Sequence, residues 1–450
     1  MLVFAVRYAK SIKTSPRYIR RRCFKNFCPN EFVSAIQQVS WLEIYLCSDV
    51  NTAVQLLSDK ITFILDTMAP MRTIQVRKKF APWLSKVTLE LMKERDTLQK
   101  LAAETKCRED WQQFKSVRNR VNNRLKYEES SWQRAKLDEC GNNSKLVWKN
   151  VKGILNWKSS GSPSQLFYKG SLIQKPQELA TAQNEFFIEK IEKIIENLPP
   201  PVSDPLSSLK SLMVDRSCSL ALNSVHPDDV EKIISDLSNS SSFGLDQIDT
   251  YTIKLIKMEI LPAITHILNL SITSREFPSL WKKAKIVPLH KKDDLLNPKN
   301  YRPVAIIPIF SKILERVIFN QIIKYMTDNN LLHHNHHAYR AGHNTTTALI
   351  QMYDVWLKSL EDGELAGVCF LDMSAAFDIV DHPLLIKKLE LYGFESSMVM
   401  WITSYLTDRS QCVSILQMSC QKSSTLILPA VKISQEPGLL IIWHVNLVAA

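Results

Sequence analysis

Glycine is scarce in this chain, and no long apolar stretch occurs anywhere in it. Ten glycines against twenty prolines in 450 residues exclude a collagen-like or glycine-rich fibrous protein. No apolar run approaches the roughly 18–20 residues needed to cross a bilayer, so the sequence reads as soluble, with no membrane partner. The nine cysteines include no Cys-x-x-Cys pair. No secretory signal pattern stands before them, and reduced thiols in an intracellular protein, nuclear or cytoplasmic, are expected. No histidine precedes His226, which removes the partner that a zinc site at Cys23 and Cys28 would need. Acidic residues are absent before Glu31, whereas eight Lys or Arg lie in the first thirty positions. That composition alone also fits a mitochondrial presequence, kept as the minority reading.

What is present is ordinary in amount and uneven in placement. The hydrophobic share of 45% and the charged share of 23% suit a globular chain long enough for two to four domains. The net charge of +12 is concentrated near the start. Residues 1–76 carry ten basic and five acidic groups, residues 77–158 carry twenty and ten, and the rest carry 27 and 30. An excess of one sign in the first third favours a polyanionic partner, most simply nucleic acid, over a mixed-charge solvated surface.

Periodicity divides the chain further. Residues 31–70 read as a short helical pair, with Asp49 capping the second helix and Pro70 ending it. No proline occurs from Thr88 to Trp157. Trp111, Phe114, Val117, Val121 and Leu125 form one apolar stripe there, and helices over 86–104 and 107–139 are expected to pair as a hairpin. Lys115, Arg118, Arg120, Arg124 and Lys126 lie between the apolar positions and are expected to face outward, where they could track a phosphate backbone. A Ser/Gly/Pro patch at 159–164 and the proline run at 199–205 read as spacers. From about residue 220 onward, helices and short β-rich runs alternate, as in an α/β or α+β catalytic domain.

The segment that carries chemistry is Gly367-Val368-Cys369-Phe370-Leu371-Asp372-Met373-Ser374-Ala375-Ala376-Phe377-Asp378. A short apolar, β-prone run over 366–372 ends on Asp372, which places a carboxylate at the end of a buried strand. Nucleotidyl transfer needs carboxylates in that position to hold two Mg²⁺ ions about 4 Å apart. The plainer alternative is a strand-end aspartate that caps the following helix.

The segment also resembles the first catalytic motif of reverse transcriptases, Phe-x-Asp-x-x-x-Ala-Phe-Asp. The resemblance implies Asp372 as catalytic residue and metal ligand, and Phe377 as the aromatic group under the nucleotide sugar. It also implies Leu371 or Met373 as backbone donor to the triphosphate. Further segments match in order. Phe243-Gly244-Leu245-Asp246 resembles the opening Gly-x-Asp, and Leu289-His290-Lys291-Lys292 with Asn300-Tyr301-Arg302-Pro303 resembles the fingers. There Lys291 and Arg302 would clamp an incoming deoxynucleoside triphosphate, one as a point charge and one as a fork. Ser311 to Arg316 resembles the helix after that strand. Ala338 to Thr346 is similar to Gly-Phe-Arg-x-x-x-Ser-Thr, with Arg340 toward template or primer. This chain departs there at Ala338, Tyr339 and Asn344. The histidines around that motif read as a solvated loop rather than a metal site. Residues 15–157 resemble the linker between endonuclease and polymerase in Jockey-like non-LTR (LINE-type) elements.

The resemblance implies an α+β architecture. It divides the chain into an endonuclease-to-polymerase linker with a basic N-terminus (1–76), a basic helical region (77–158) and a linker with a Pro/Ser-rich spacer (159–219). Polymerase fingers and a partial palm (220–420) and a degenerate tail (421–450) follow. The implied activity is RNA-directed DNA polymerisation, with Mg²⁺, an RNA template, a DNA primer and deoxynucleoside triphosphates. No Tyr-x-Asp-Asp occurs, since Asp228-Asp229 and Asp293-Asp294 both precede Asp372. Where a Gln-Gly-Ser loop should lie the chain reads Ser434-Gln435-Glu436-Pro437-Gly438. A truncated or decayed copy, catalytically incomplete, is therefore expected. Two rivals remain, a non-catalytic nucleic-acid-binding protein using 77–158 and a mitochondrial maturase relative. The charge placement makes one expectation measurable. The fragment 77–158 should bind RNA or DNA weakly and with little sequence preference, its log affinity falling steeply with log salt. Affinity unchanged between low and moderate salt would contradict the electrostatic reading.

Overall fold

The structure is a computed structural model, and it describes residues 17–76, 81–155, 162–213, 218–240, 242–371, 375–415, 426–427 and 431–432. The chain divides into two compact units, one of residues 75–161 and one of the remainder. Each is described by itself.

The smaller unit is a helical hairpin followed by a short helix. Its long helices run Lys86–Thr105 and Arg108–Asp138, as the proline-free stretch predicts. Ser85 caps the first helix by accepting from the Thr88 amide at 3.2 Å. Glu128 of the second helix then ties that end down. Its carboxylate accepts from the Ser85 hydroxyl at 2.6 Å, the Ser85 amide at 3.0 Å and the Thr88 hydroxyl at 2.8 Å. Desolvation opposes ionisation, but those donors and Arg124 outweigh it and hold the carboxyl at about 2. Val121 and Phe114 are buried along the seam.

The larger unit is α+β. Near its start, helix Val50–Met68 is capped by Asp49, which accepts from the Thr52 amide at 2.8 Å, as expected. Leu57, Ile61 and Leu65 of this helix enter the main core. Between the two expected spacers, within the expected linker 159–219, the chain forms a hairpin and a helix. Strands Leu166–Tyr168 and Ser171–Ile173 make a hairpin, and helix α1 (Pro176–Glu196) buries Leu179, Phe187 and Ile191.

The main sheet is built around strand β1 (Lys283–His290), which pairs antiparallel with β2 (Tyr301–Ile306). Helices α2 (Ile309–Asp328) and α3 (Thr345–Glu361) follow, then α4 (Ser396–Leu406) and β3 (Ser410–Ile415). Strand β3 returns to pair parallel with the free edge of β1, Lys285 opposite Cys412. It also pairs antiparallel with residues 426–427 and 431–432. Alternation along β1 sends Ala284 and Ile286 into the core and leaves Leu289 exposed on the other face.

This order corrects one expectation. No strand forms at 366–371; residues 364–371 are irregular, with Phe370 80% and Leu371 87% exposed. Both edges of β1 are taken, by β2 and β3, so residues 366–371 do not pair with it, and the outer edge of β2 carries no strand among the described residues.

Beneath the sheet, Phe277 meets Tyr405 at 4.8 Å and Trp401 at 5.5 Å between ring centroids. Trp401 donates to the Ser271 hydroxyl at 3.1 Å. Nearby, the hydroxyl of Tyr325 donates to the Tyr392 carbonyl at 2.7 Å and the Cys218 carbonyl at 3.2 Å. Gly393 completes this junction at φ +84°, where an added Cβ would lie 2.1 Å from the Cys218 carbonyl oxygen. Strain and collision therefore both act at one position. Gly393→Ala should destabilise the protein by about 2–3 kcal/mol, read as a lowered midpoint in urea or heat. An unchanged midpoint would contradict the tight packing described.

Candidate functional site

The β1–β2 turn is the best-built part of the site. Register pairs Leu289 with Arg302, and both are exposed. The ladder runs one bond further, the Lys291 amide donating to the Asn300 carbonyl at 2.7 Å. Lys291 lies two residues beyond Leu289, so strand periodicity sends it to the face that bears Arg302. Both cations are exposed on the hairpin, and continued alternation from Leu289 would set them on one face, an arrangement suited to a polyphosphate. The turn between them is held by Asn297, which caps a 3₁₀ turn at Lys299, and by Asn300, whose amide donates to the Asp294 carbonyl at 2.9 Å.

A second cluster adjoins the base of that hairpin, and sequence reasoning took only its outline. The Lys285 ammonium sits 4.5 Å from the centroid of the Phe243 ring. Burial lowers Lys285 below its ordinary value. Burial also pushes the Asp246 carboxyl up to about 6, against backbone amides, Lys312 and Lys285. The Gly-x-Asp run holds here by contact. A Cβ on Gly244 would lie 2.9 Å from the Pro308 nitrogen and 3.1 Å from the Ile307 carbonyl carbon. The signal in the sequence was that glycine; the partner, Lys285, lies about forty residues away and carried none.

The third part is the turn before α3. Asn344 begins that helix with a reciprocal pair, its side chain accepting from the Thr347 amide at 3.0 Å while its own amide donates to the Thr347 hydroxyl at 2.9 Å. Asparagine does here what serine does in the resembling motif. Arg340 is half-buried in the turn, and its carbonyl accepts from the His343 amide at 3.1 Å. Tyr339 stands edge-on to Phe377 with centroids 6.3 Å apart. The structure thus brings the Arg340 turn to the candidate sugar-contact residue. His337 is hydrogen-bonded to Thr347 at 3.0 Å and Gln351 at 2.6 Å, which gives that histidine a structural role.

Asp372 and Met373 lie outside the described residues. Leu371 is described and exposed, and its backbone is in no strand. Desolvation pushes the Asp378 carboxyl up to about 6, with Lys190 acting weakly in the other direction. Among the described residues no group of three or more His, Cys, Asp or Glu converges to hold a metal. The expected ligand, Asp372, lies outside the residues of which this holds. In the helical unit, Lys115, Arg118, Arg120, Arg124 and Lys126 are all exposed. Arg120 faces Glu94 at 3.5 Å and Arg124 faces Glu128 at 3.3 Å, so part of that positive charge is already paired. No helix among the described residues is long and apolar enough to cross a membrane.

Residues 289–429 match the family model described as reverse transcriptase (RNA-dependent DNA polymerase). The chain is 29% identical over 209 residues to the probable RNA-directed DNA polymerase from transposon BS of Drosophila melanogaster, covering 46% of this chain and 23% of that protein. It is 24% identical over 427 residues to the RNA-directed DNA polymerase from mobile element jockey of the same fly, covering 92% of this chain and 45% of that protein. The corresponding jockey protein of Drosophila funebris is 28% identical over 258 residues, or 56% of this chain and 27% of that protein. The chain spans less than half the length of each of these relatives.

Proposed function

Given a chain that carries a reverse transcriptase domain of the non-LTR retrotransposon type, we propose that it forms the nucleotide-binding fingers and part of the palm of an RNA-directed DNA polymerase. Its substrates would be an RNA template, a DNA primer and deoxynucleoside triphosphates. The observation that carries this reading is the β1–β2 hairpin, on which Lys291 and Arg302 are both exposed. Arg302 offers two parallel donors to a phosphate, and Lys291 adds a compact charge beside it. Phe377, with Tyr339 against it, would bound the sugar side. Arg340, in the adjoining turn, would meet the template or primer. When bound, Mg²⁺ would neutralise the triphosphate and activate the primer hydroxyl, with Asp372 as the residue to hold it.

The 450-residue polypeptide should bind nucleotide without extending a primer. One aspartate cannot ligate two metal ions while leaving room for both the triphosphate and the hydroxyl. A second reading, a nucleic-acid-binding protein without catalysis, is favoured by one observation: the net +10 of residues 77–158 lies almost wholly in the compact helical unit.

The experiment is primer extension on an RNA template with Mg²⁺ or Mn²⁺. The purified chain should incorporate nothing, and Asp372→Ala should leave the result unchanged. Template-dependent incorporation that disappears in Asp372→Ala would overturn the incompleteness, because the other ligands would then come from residues assigned structural roles here.

A further inference from the structure

The turn that joins Lys291 to Arg302, over residues 294–299, borders with the hairpin Leu166–Tyr168/Ser171–Ile173 and helix α1 a cavity of about 390 Å³. Three aromatic rings line it: Phe167, Tyr168 and Phe186. Phe167 is 56% exposed, yet its backbone is fixed, its amide donating to the Leu296 carbonyl at 2.8 Å. Tyr168 and Phe186 brace one another edge-on at 6.5 Å. A large ring held open to solvent on a clamped backbone loses little freedom when a second flat group stacks on it.

The charges around these rings are not equivalent. Lys169 is committed to Glu189 at 2.6 Å, and the two cancel. Asp294 accepts from the Leu296 amide at 3.0 Å and so belongs to the loop's own turn. Lys193 reaches Glu189 only at 3.9 Å and is largely exposed. Lys299 is exposed and has no ion pair among the described residues. The cavity therefore offers an aromatic platform with two loosely held ammonium groups at its rim.

We propose that this cavity is a single-stranded nucleic-acid subsite, in which a base stacks on Phe167 while Lys193 and Lys299 contact the flanking phosphates. Stacking tolerates any base, because every base has a π-face, so the subsite is insensitive to sequence. It rejects duplex, whose bases are already stacked on one another. With only two phosphate contacts its salt dependence is shallower than that of the basic helical unit, though not absent. The subsite extends the nucleic-acid reading above but does not depend on catalysis.

The test uses the full chain and fluorescent single-stranded RNA, single-stranded DNA and duplex oligonucleotides at low and moderate salt. Circular dichroism checks the fold of each variant. Phe167→Ala should weaken single-strand binding about tenfold without changing the salt slope, and should leave duplex binding alone. Phe167→Trp should retain the affinity, whereas Lys193→Glu with Lys299→Glu should weaken binding and flatten the slope. Equal losses for RNA and DNA identify the shared base-and-phosphate chemistry, and a loss confined to RNA assigns the subsite to an RNA strand. A photoactivatable thiouridine in the RNA should cross-link to residues 166–168. Single-strand binding unchanged in Phe167→Ala, an equal loss for duplex, or cross-links confined to 75–161 would each overturn the proposal. A failure of primer extension would leave all of these readouts intact.

Discussion

A buried knot of polar groups around Tyr405 holds the α+β unit in register. The hydroxyl of Tyr405 donates to Glu315 of α2 at 3.2 Å, and its carbonyl accepts from the Arg409 guanidinium at 3.1 Å. Glu315 also accepts from the Ser311 hydroxyl at 3.1 Å. Arg409 lies over the rings of Tyr405 and Phe277 at 4.7 and 5.8 Å. Glu315 and Arg409 are both almost fully shielded from water. Burial pushes the Glu315 carboxyl up to about 7, and the charge of Arg409 is the largest influence pulling it back. Removing one member of such a set strands a charge in the interior, at a cost of roughly 3–5 kcal/mol. The knot therefore specifies one arrangement of α2, α4 and the entry to β3. That arrangement brings β3 to the edge of β1, and β1 in turn carries the hairpin with Lys291 and Arg302.

Local chemistry was the most legible part of the sequence. Asp49 and the proline-free stretch between Thr88 and Trp157 act over a few residues, and the caps and helices they imply are present. The Lys291 and Arg302 turn was legible only through its resemblance to the fingers of reverse transcriptases, since either cation alone reads as a surface charge. Fit to the family motif then supplied the roles that pattern alone could not.

Long-range pairing was not legible. Strand β3 joins β1 across more than one hundred residues, and nothing in Ser410–Ile415 names its partner. The same holds for Glu315 and Arg409, which nothing in the local sequence pairs with one another or with Tyr405. The linker expected over 159–219, on the strength of a Ser/Gly/Pro patch and a proline run, contains a helix between those two spacers. Its buried positions, Leu179, Phe187 and Ile191, are spaced as a helix face and were the signal available. The apolar run ending at Leu371 erred in the opposite direction. A strand needs a partner as well as β-prone residues, and both edges of β1 are taken by β2 and β3. The neighbouring helix α3 also buries none of its residues. Leu349, Ile350, Tyr353 and Leu360 are exposed on it, so the apolar surface around the candidate catalytic segment is left open.

Every functional step in this account passes through the open face of the β1–β2 hairpin, and equilibrium binding of a deoxynucleoside triphosphate reports on that face without requiring catalysis. The account predicts measurable binding by the 450-residue chain. It predicts a loss of about tenfold or more when Lys291→Ala and Arg302→Ala are combined, since charge-assisted hydrogen bonds to phosphate would be removed. The folded state should survive, because both side chains are exposed. Nucleotide affinity that is unchanged in the double variant would contradict the assignment of this hairpin as the nucleotide-binding fingers.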